Sequence, residues 1–354
     1  VLMVKLGVGL ALGGLEVVGA DDLGLHEGGQ RAESPPPARV GPDKGGVTTT
    51  PGFRSGFACL VGRPNTGKST LTNALVGQKV AITSSRPQTT RHTIRGIVHR
   101  PDAQLVLVDT PGLHRPRTLL GQRLNDVVRA TWAEVDVVVL CSPADEAVGP
   151  GDRFVASSLA LLGRTPVLTV ATKTDLVDSG RLVQHLASLA ELGRQVGLEW
   201  AEVVPVSAVT GEGVDLLERL LVERLPEGPA FYPDGELTDE PEETLVAELI
   251  REAALEGLHE ELPHSLAVVV DEMEPRQDRP PDRPLLDVRA TLFVERSSQK
   301  PILVGRSGQR IKQIGAQSRT HIEALLGTPV YLDLHVKVAK EWQRDPKQLR
   351  RLGF

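Results

Sequence analysis

The sequence predicts a doubly wound α/β domain with a mostly parallel sheet, followed by a smaller α+β domain, and three observations carry this expectation. From Phe57 to about Leu225, short apolar runs (FACLVG, QLVLVD, VDVVVLCS, PVLTVAT, AEVVPVSA) alternate with helix-length stretches. The runs are continuous in Val and Leu rather than alternating, as parallel strands buried on both faces require. Beyond a Pro-, Gly- and acid-rich break, PEGPAFYPDGELTDEPEE, the order changes to helix, two strands, helix, GRSG, helix and strand.

These observations divide the chain into an N-terminal extension at 1–55, the α/β domain at 56–226, a linker at 227–243 and the α+β domain at 244–354. The extension is expected to be disordered, because EGGQRAESPPPARVGPDKGGVTTTPGF is too rich in Pro, Gly, Ser and Thr to bury a core. Its first residues imitate a secretion signal, with Lys5, an apolar run from Leu6 to Leu15 and small residues at Val18, Gly19 and Ala20. The run is Gly-rich, is closed by Glu16 and is too short to span a bilayer, so it is not read as a signal.

In 354 residues, 46 acidic side chains outnumber 40 basic ones, so the whole chain carries no nucleic-acid signature and any such site must be a local patch. Cys59 and Cys141 lie inside apolar runs with no metal-ligand spacing, and both are expected to be reduced core residues.

Loops at the carboxyl ends of parallel strands are where such sheets bind ligands. The first, GRPNTGKS at Gly62 to Ser69, fits GxxxxGK[ST] between a strand and a helical pattern, the context that makes this phosphate-binding motif persuasive. Gly62 and Gly67 let the backbone approach phosphates, Lys68 reaches the β and γ phosphates, and Ser69 is placed to ligate Mg²⁺. Arg63, Pro64, Asn65, Thr66 and Thr70 complete the cradle. After the strand QLVLV comes DTPG, Asp109, Thr110, Pro111 and Gly112, which directs Asp109 at the Mg²⁺ shell and the Gly112 N–H at a γ-phosphate.

Between these motifs, TSSRPQTTRHT at Thr83 to Thr93 is a candidate switch loop, with Thr90 favoured over Thr89 as the hydroxyl that completes the Mg²⁺ shell. An ordinary Thr-rich loop is the alternative. In TKTD, Thr172 to Asp175, the Asp175 carboxylate can accept from N1–H and the 2-amino group of guanine, which adenine cannot offer, while the Lys173 stem packs on the ring. SAVTG places Ser207 and Ala208 beside guanine O6. The ligand expected is therefore GTP or GDP with Mg²⁺, and a P-loop ATPase or kinase is disfavoured.

In order and spacing these motifs resemble the translation-factor-related bacterial GTPases, and QKVAITSSRPQTTRHTIRGIV followed by DTPGLH resembles the Era family. The resemblance runs from about Gly56 to the C-terminus. It implies a P-loop GTPase domain joined to a type II KH domain that binds the 3′ region of 16S rRNA and assists maturation of the 30S subunit. It also implies a monomer in the cytoplasm, with peripheral contact at the inner face of the cell membrane. The KH signature is VGRSGQRIKQIG, in which Gly305, Arg306, Ser307 and Gly308 form the GXXG loop that clamps unpaired nucleotides. Arg310, Lys312 and Lys300 add local positive charge, and Lys337, Lys340, Arg350 and Arg351 form a basic tail open to RNA or an anionic surface.

The sequence departs from the family pattern at Thr172, where Asn is usual. That change removes an amide that ties the base site to the P-loop and contacts guanine N7, so weaker nucleotide affinity is expected. Leu113 stands where many switch GTPases carry a water-orienting Gln, so intrinsic hydrolysis should be slow. Asn65 resembles the asparagine that holds a K⁺ ion against the phosphates in related GTPases, which makes K⁺ a further candidate cofactor and Asn65, with Lys68 and Thr90, a candidate catalytic residue. Two alternatives stay open: an RNA-binding assembly factor with a vestigial nucleotide site, and a tRNA-modifying GTPase. The direct join to a KH-like domain disfavours the second.

Overall fold

The computed structural model describes residues 52–83, 93–113, 119–132, 134–256, 265–280 and 283–352. The first domain contains β1 (Arg54–Val61), α1 (Lys68–Val76), β2 (Ile94–His99), β3 (Ala103–Asp109), α2 (Leu119–Trp132), β4 (Val137–Pro143), α3 (Pro150–Leu159), β5 (Val167–Thr172), α4 (Ser179–Val196), β6 (Glu202–Pro205) and α5 (Val214–Val222). The second contains α6 (Glu242–Leu255), β7 (Ala267–Pro275), β8 (Leu286–Val294), α7 (Lys300–Val304), α8 (Gln309–Leu326), β9 (Val330–Val338) and α9 (Pro346–Arg351). All described residues belong to one unit, Val47–Phe354.

The larger sheet has the order β2-β3-β1-β4-β5-β6. Its five expected strands are parallel, and every residue of β3, β4 and β5 is buried, the reason their sequences are mostly apolar rather than alternating. The sixth strand, β2, was not expected from periodicity. It is a short antiparallel edge strand, IRGIVH, whose mixed burial gives neither a continuous nor an alternating signal. Two apolar layers flank the sheet, one holding Leu71, Leu107, Val139 and Leu217, the other Val61, Leu113, Val138 and Trp132. Cys59 and Cys141 are fully buried and unpaired, and burial pushes both thiols well above their usual range, as expected of inert core residues.

The chain leaves β1 at the point where the sheet switches direction. From there it returns on one side as β2 and β3 and on the other as β4 to β6. Ligand loops gather at such a point. The smaller sheet, β7-β8-β9, pairs β7 with β8 antiparallel and β8 with β9 parallel. Helices α6 and α8 cover one face, with Val246, Ile250, Ile314 and Ile322 in its core.

The expected boundaries need a small correction, because β1 starts at Arg54 and α6 at Glu242. Arg54 and Ser55 are drawn into the sheet by a returning partner: Arg54 bridges Glu227, and the Ser55 N–H donates to the Pro226 carbonyl. The segment expected to be a linker is thus a strap held against the first domain. Gln104, 1% exposed, accepts from the Phe231 and Tyr232 N–H groups (2.6 and 3.0 Å) and donates to the Tyr232 carbonyl (2.8 Å). Farther along, the Ile97 N–H donates to the Leu237 carbonyl across the open edge of β2, and Arg95 pairs with Asp239 at 2.8 Å.

Because Gln104 satisfies three backbone groups of the strap, Gln104→Ala should cost about 2–4 kcal/mol in urea unfolding, the penalty of stranded polar groups. A loss under about 0.5 kcal/mol, the ordinary effect of a surface change, would show that the strap is held by other contacts.

Candidate nucleotide site and RNA-binding loop

The P-loop leaves β1 as a tight backbone turn. A Cβ at Gly62 would lie 2.6 Å from the Cys141 carbonyl oxygen, and Gly67, at φ 86, begins α1 in the left-handed region. Asn65 also adopts φ 64. Lys68, 6% exposed, turns its Nζ back into the loop, 2.9 Å from the Arg63 carbonyl oxygen and 3.4 Å from that of Gly62. Burial pushes the Lys68 pKa down, and Asp109 pulls in the opposite direction.

The DTPG loop closes directly on this turn. The Leu113 N–H donates to the Gly62 carbonyl at 3.1 Å, and a Cβ on Gly112 would lie 2.7 Å from the Pro64 nitrogen, so only glycine fits. Thr110, fully buried, donates to the Leu60 carbonyl at 2.9 Å, and Pro111 is buried beside it. Ser69 Oγ donates to Asp109 Oδ2 at 2.6 Å. A hydroxyl and a buried carboxylate in contact are hard oxygen donors suited to Mg²⁺, which binds proteins through one or two such groups and completes its shell with phosphates and water. Thr70 is half-buried on the first turn of α1. Thr90 lies outside the described residues.

The side chain of Arg63 turns away from the loop. It pairs with the buried Asp152 (2.9 Å) in the first turn of α3 and with Glu146 (3.0 Å) in the loop before it, packing over Gly151, and only its backbone faces the cradle. Leu113 is 1% exposed in the core, so its side chain offers nothing to a water at the γ-phosphate position.

At the ends of β5 and β6 the base-site residues converge. Ser207 Oγ donates to Asp175 Oδ1 at 2.6 Å and accepts from the Thr210 N–H at 3.1 Å, which fixes the carboxylate. Ala208 follows Ser207 in the same turn. Lys173, at φ 58, extends its ammonium to 3.7 Å from Asp145. Thr172 corrects one expectation: its Oγ1 donates to the Thr66 carbonyl at 2.7 Å, so the tie from base site to P-loop survives without an amide.

In the second domain, the GXXG loop has Gly305 at φ 72, Ser307 at φ 51 and Gly308 at φ 75. Nothing lies within 4 Å of where a Gly308 Cβ would sit, so this side of the loop is open. Arg306, Ser307 and Lys312 are exposed, as is Lys300. Arg310 is engaged differently, donating to the Glu256 carbonyl and to Gln313, where it closes the end of α6. Beside the loop, α8 and β9 enclose a groove of about 320 Å³ lined by Ile311, Lys312, Gly315, Arg319, Tyr331 and Leu334.

Sequence reasoning missed the contacts that join the two sites. Glu252 of α6, 6% exposed, accepts from Lys79 Nζ (2.5 Å) and from the Thr83 N–H (2.8 Å) at the root of the candidate switch loop, while Ile82 is buried in the second domain's core. From the other side, Leu120 and Leu124 of α2, the helix after DTPG, pack with Ala267, Phe293, Trp342 and Leu349. The available signal was three charged side chains, Glu248, Arg251 and Glu252, set among the apolar residues of α6, all of them buried.

A family model described as 50S ribosome-binding GTPase matches residues 57–173, and a KH domain model matches 261–343. GTPase Era of Streptomyces coelicolor is 70% identical over 301 residues, covering 85% of this chain and 95% of that protein. GTPase Era of Mycobacterium sp. (strain KMS) is 66% identical over 303 residues, covering 85% and 99%. Two solved structures share the fold over 85% of this chain and 99% of theirs. One is Era in complex with MgGDPNP and nucleotides 1506–1542 of 16S ribosomal RNA (TM-score 0.80, 36% identity). The other is an Aquifex aeolicus Era variant bound to GDP and aluminium fluoride (TM-score 0.79, 35% identity). At 70% identity over 85% of this chain and 95% of the Streptomyces protein, the chain belongs to the Era family of GTPases.

Proposed function

We propose that this chain is a GTP-hydrolysing switch that binds the 3′ region of 16S rRNA through its KH domain and assists maturation of the 30S subunit. One observation carries the union of the two activities: Glu252, on the first helix of the KH domain, holds the root of the switch loop. The broad GTPase model's description names the large subunit. The full-length neighbour was solved with 16S RNA, and likeness over both domains favours the small subunit.

In this reading, the P-loop N–H groups and the N-terminus of α1 bind the phosphates, and Lys68 moves its ammonium from the loop carbonyls to the β and γ phosphates. Mg²⁺, when bound, neutralises charge on those phosphates. Ser69, Asp109 and Thr90 would hold it. Asp175, oriented by Ser207, accepts from guanine N1–H and the 2-amino group, and the Ala208 N–H donates to O6. With Leu113 buried, hydrolysis depends on electrostatic help; Asn65 would hold a K⁺ ion, which would offset charge on the phosphates. On the RNA side, Gly305 to Gly308 approach the backbone closely, Arg306 and Lys312 supply charge, and the α8–β9 groove receives bases. Arg310 acts by holding α8 against α6.

No helix among the described residues is long and apolar enough to cross a membrane. Residence in the cytoplasm, where GTP and ribosomal RNA meet, fits the proposed chemistry. Peripheral contact through Lys337, Lys340, Arg350 and Arg351 is a second use of the basic tail.

The direct test pairs GTP turnover with RNA crosslinking in cells. Lys68→Ala should lower turnover at least about 100-fold, as loss of a preorganised charge at the phosphates does, while wild-type crosslinks map to the 3′ end of 16S rRNA. Turnover unchanged by Lys68→Ala, or crosslinks confined to other RNAs, would overturn the proposal. Replacing both Arg306 and Ser307 by Asp should weaken RNA binding about tenfold or more and leave RNA-free turnover intact.

The clasp makes a second prediction. RNA affinity measured with a GTP analogue and with GDP should differ about fivefold or more in the wild type, and Glu252→Ala should bring the ratio close to one. An unchanged ratio would remove Glu252 from the coupling. For the cation, hydrolysis should run several-fold faster in KCl than in NaCl, and Asn65→Asp should erase the difference; equal wild-type rates would exclude the K⁺ role.

A further inference from the structure

We infer that Thr172 is a positioning residue that fixes the phosphate loop and, by doing so, leaves the purine N7 unread, so that guanine is selected through its six-membered ring. The inference rests on the assignment of the guanine site to Asp175 and its neighbours.

Thr172 is the last residue of β5 and is 4% exposed. Its Oγ1 lies 2.7 Å from the Thr66 carbonyl oxygen. A carbonyl only accepts, so the hydroxyl must donate, and a threonine hydroxyl has a single proton. The Thr66 end of this bond is itself fixed: the residue is fully buried and its own hydroxyl donates to the Arg63 carbonyl at 3.0 Å. The Thr172 end is confined by the loop, since a Cβ on Gly67 would lie 3.6 Å from both Cβ and Oγ1 of Thr172. Rotating the hydroxyl toward a base would strand a carbonyl in a buried loop.

Position in the chain then sets what this costs in recognition. Thr172 stands between the P-loop, which it touches, and Asp175, three residues on. The half of the purine nearer the phosphates is the five-membered ring, which carries the glycosidic nitrogen and N7; the six-membered ring presents the N–H groups that Asp175 accepts. N7 is an acceptor. The lone pairs left on Thr172 Oγ1 are acceptors too, and two acceptors make no hydrogen bond. An asparagine here has two N–H donors and could serve the loop carbonyl and N7 together. Threonine can serve one, and the structure commits it to the loop.

The test measures equilibrium binding of GDP, 7-deaza-GDP (N7 replaced by C–H) and ADP to the full chain, in the wild type, Thr172→Asn, Thr172→Ser and Thr172→Val. The wild type should bind GDP and 7-deaza-GDP within about twofold, and Thr172→Asn should prefer GDP about fivefold, the effect of one added hydrogen bond. Thr172→Val should weaken both guanine nucleotides equally, about fivefold, with Thr172→Ser restoring them. A wild-type preference for GDP over 7-deaza-GDP of fivefold or more would overturn the inference. So would wild-type affinity in Thr172→Val. If that variant fails to fold, the wild-type comparison and Thr172→Asn still decide. Equal binding of GDP and ADP would instead defeat the guanine assignment itself, a result separable from loss of the N7 claim alone.

Discussion

The nucleotide site depends on one close backbone contact, between the turn after β1 and the turn after β3. The Leu113 N–H reaches the Gly62 carbonyl, and Gly112 sits against Pro64 at a distance no side chain would allow. This contact sets where Asp109 meets Ser69. It is possible because β1 and β3 are parallel neighbours whose carboxyl ends emerge side by side. Asp109 and Lys68 are buried together at that junction, where low dielectric strengthens each charge's influence on the other.

The fold was legible wherever burial forces a residue choice. Strands β3, β4 and β5 have no solvent face, so their sequences are dominated by Val, Leu and small residues, with Gln104 and Asp109 as buried polar exceptions. The glycine loops were legible because Gly62, Gly67, Gly112 and Gly305 occupy places that a Cβ would fill or conformations it would strain. Strand β2 was not, because its mixed burial at the sheet edge leaves neither a continuous apolar run nor an alternation.

Other features were hidden because their meaning lies in a partner distant in sequence. Pro226 to Pro241 has the composition of a flexible linker, and partners more than a hundred residues earlier, the buried Gln104 foremost, show that it is pinned. Arg310 looked like an RNA contact by charge and position, yet its guanidinium is held by the end of α6. Thr172 looked like a loss relative to the family pattern; the hydroxyl's reach to Thr66 could be seen only once both loops were in place. Glu252 was invisible for the same reason, since its partners Lys79 and Thr83 lie on the far side of the domain boundary.

The pinned strap also changes what kind of connection joins the two domains. A free chain of that length would act as a tether, setting only a local concentration of one domain near the other. Hydrogen-bonded along β1, β3 and the outer edge of β2, it acts as a ruler: its bonded residues have fixed addresses, and the start of α6 is placed by register rather than by reach. It also covers the exposed backbone of β2, the place where a second chain could otherwise add a strand. Length changes in this segment would therefore be tolerated far less well than its loop-like composition suggests, because one added residue would shift α6 against Lys79 and Thr83, which Glu252 grips.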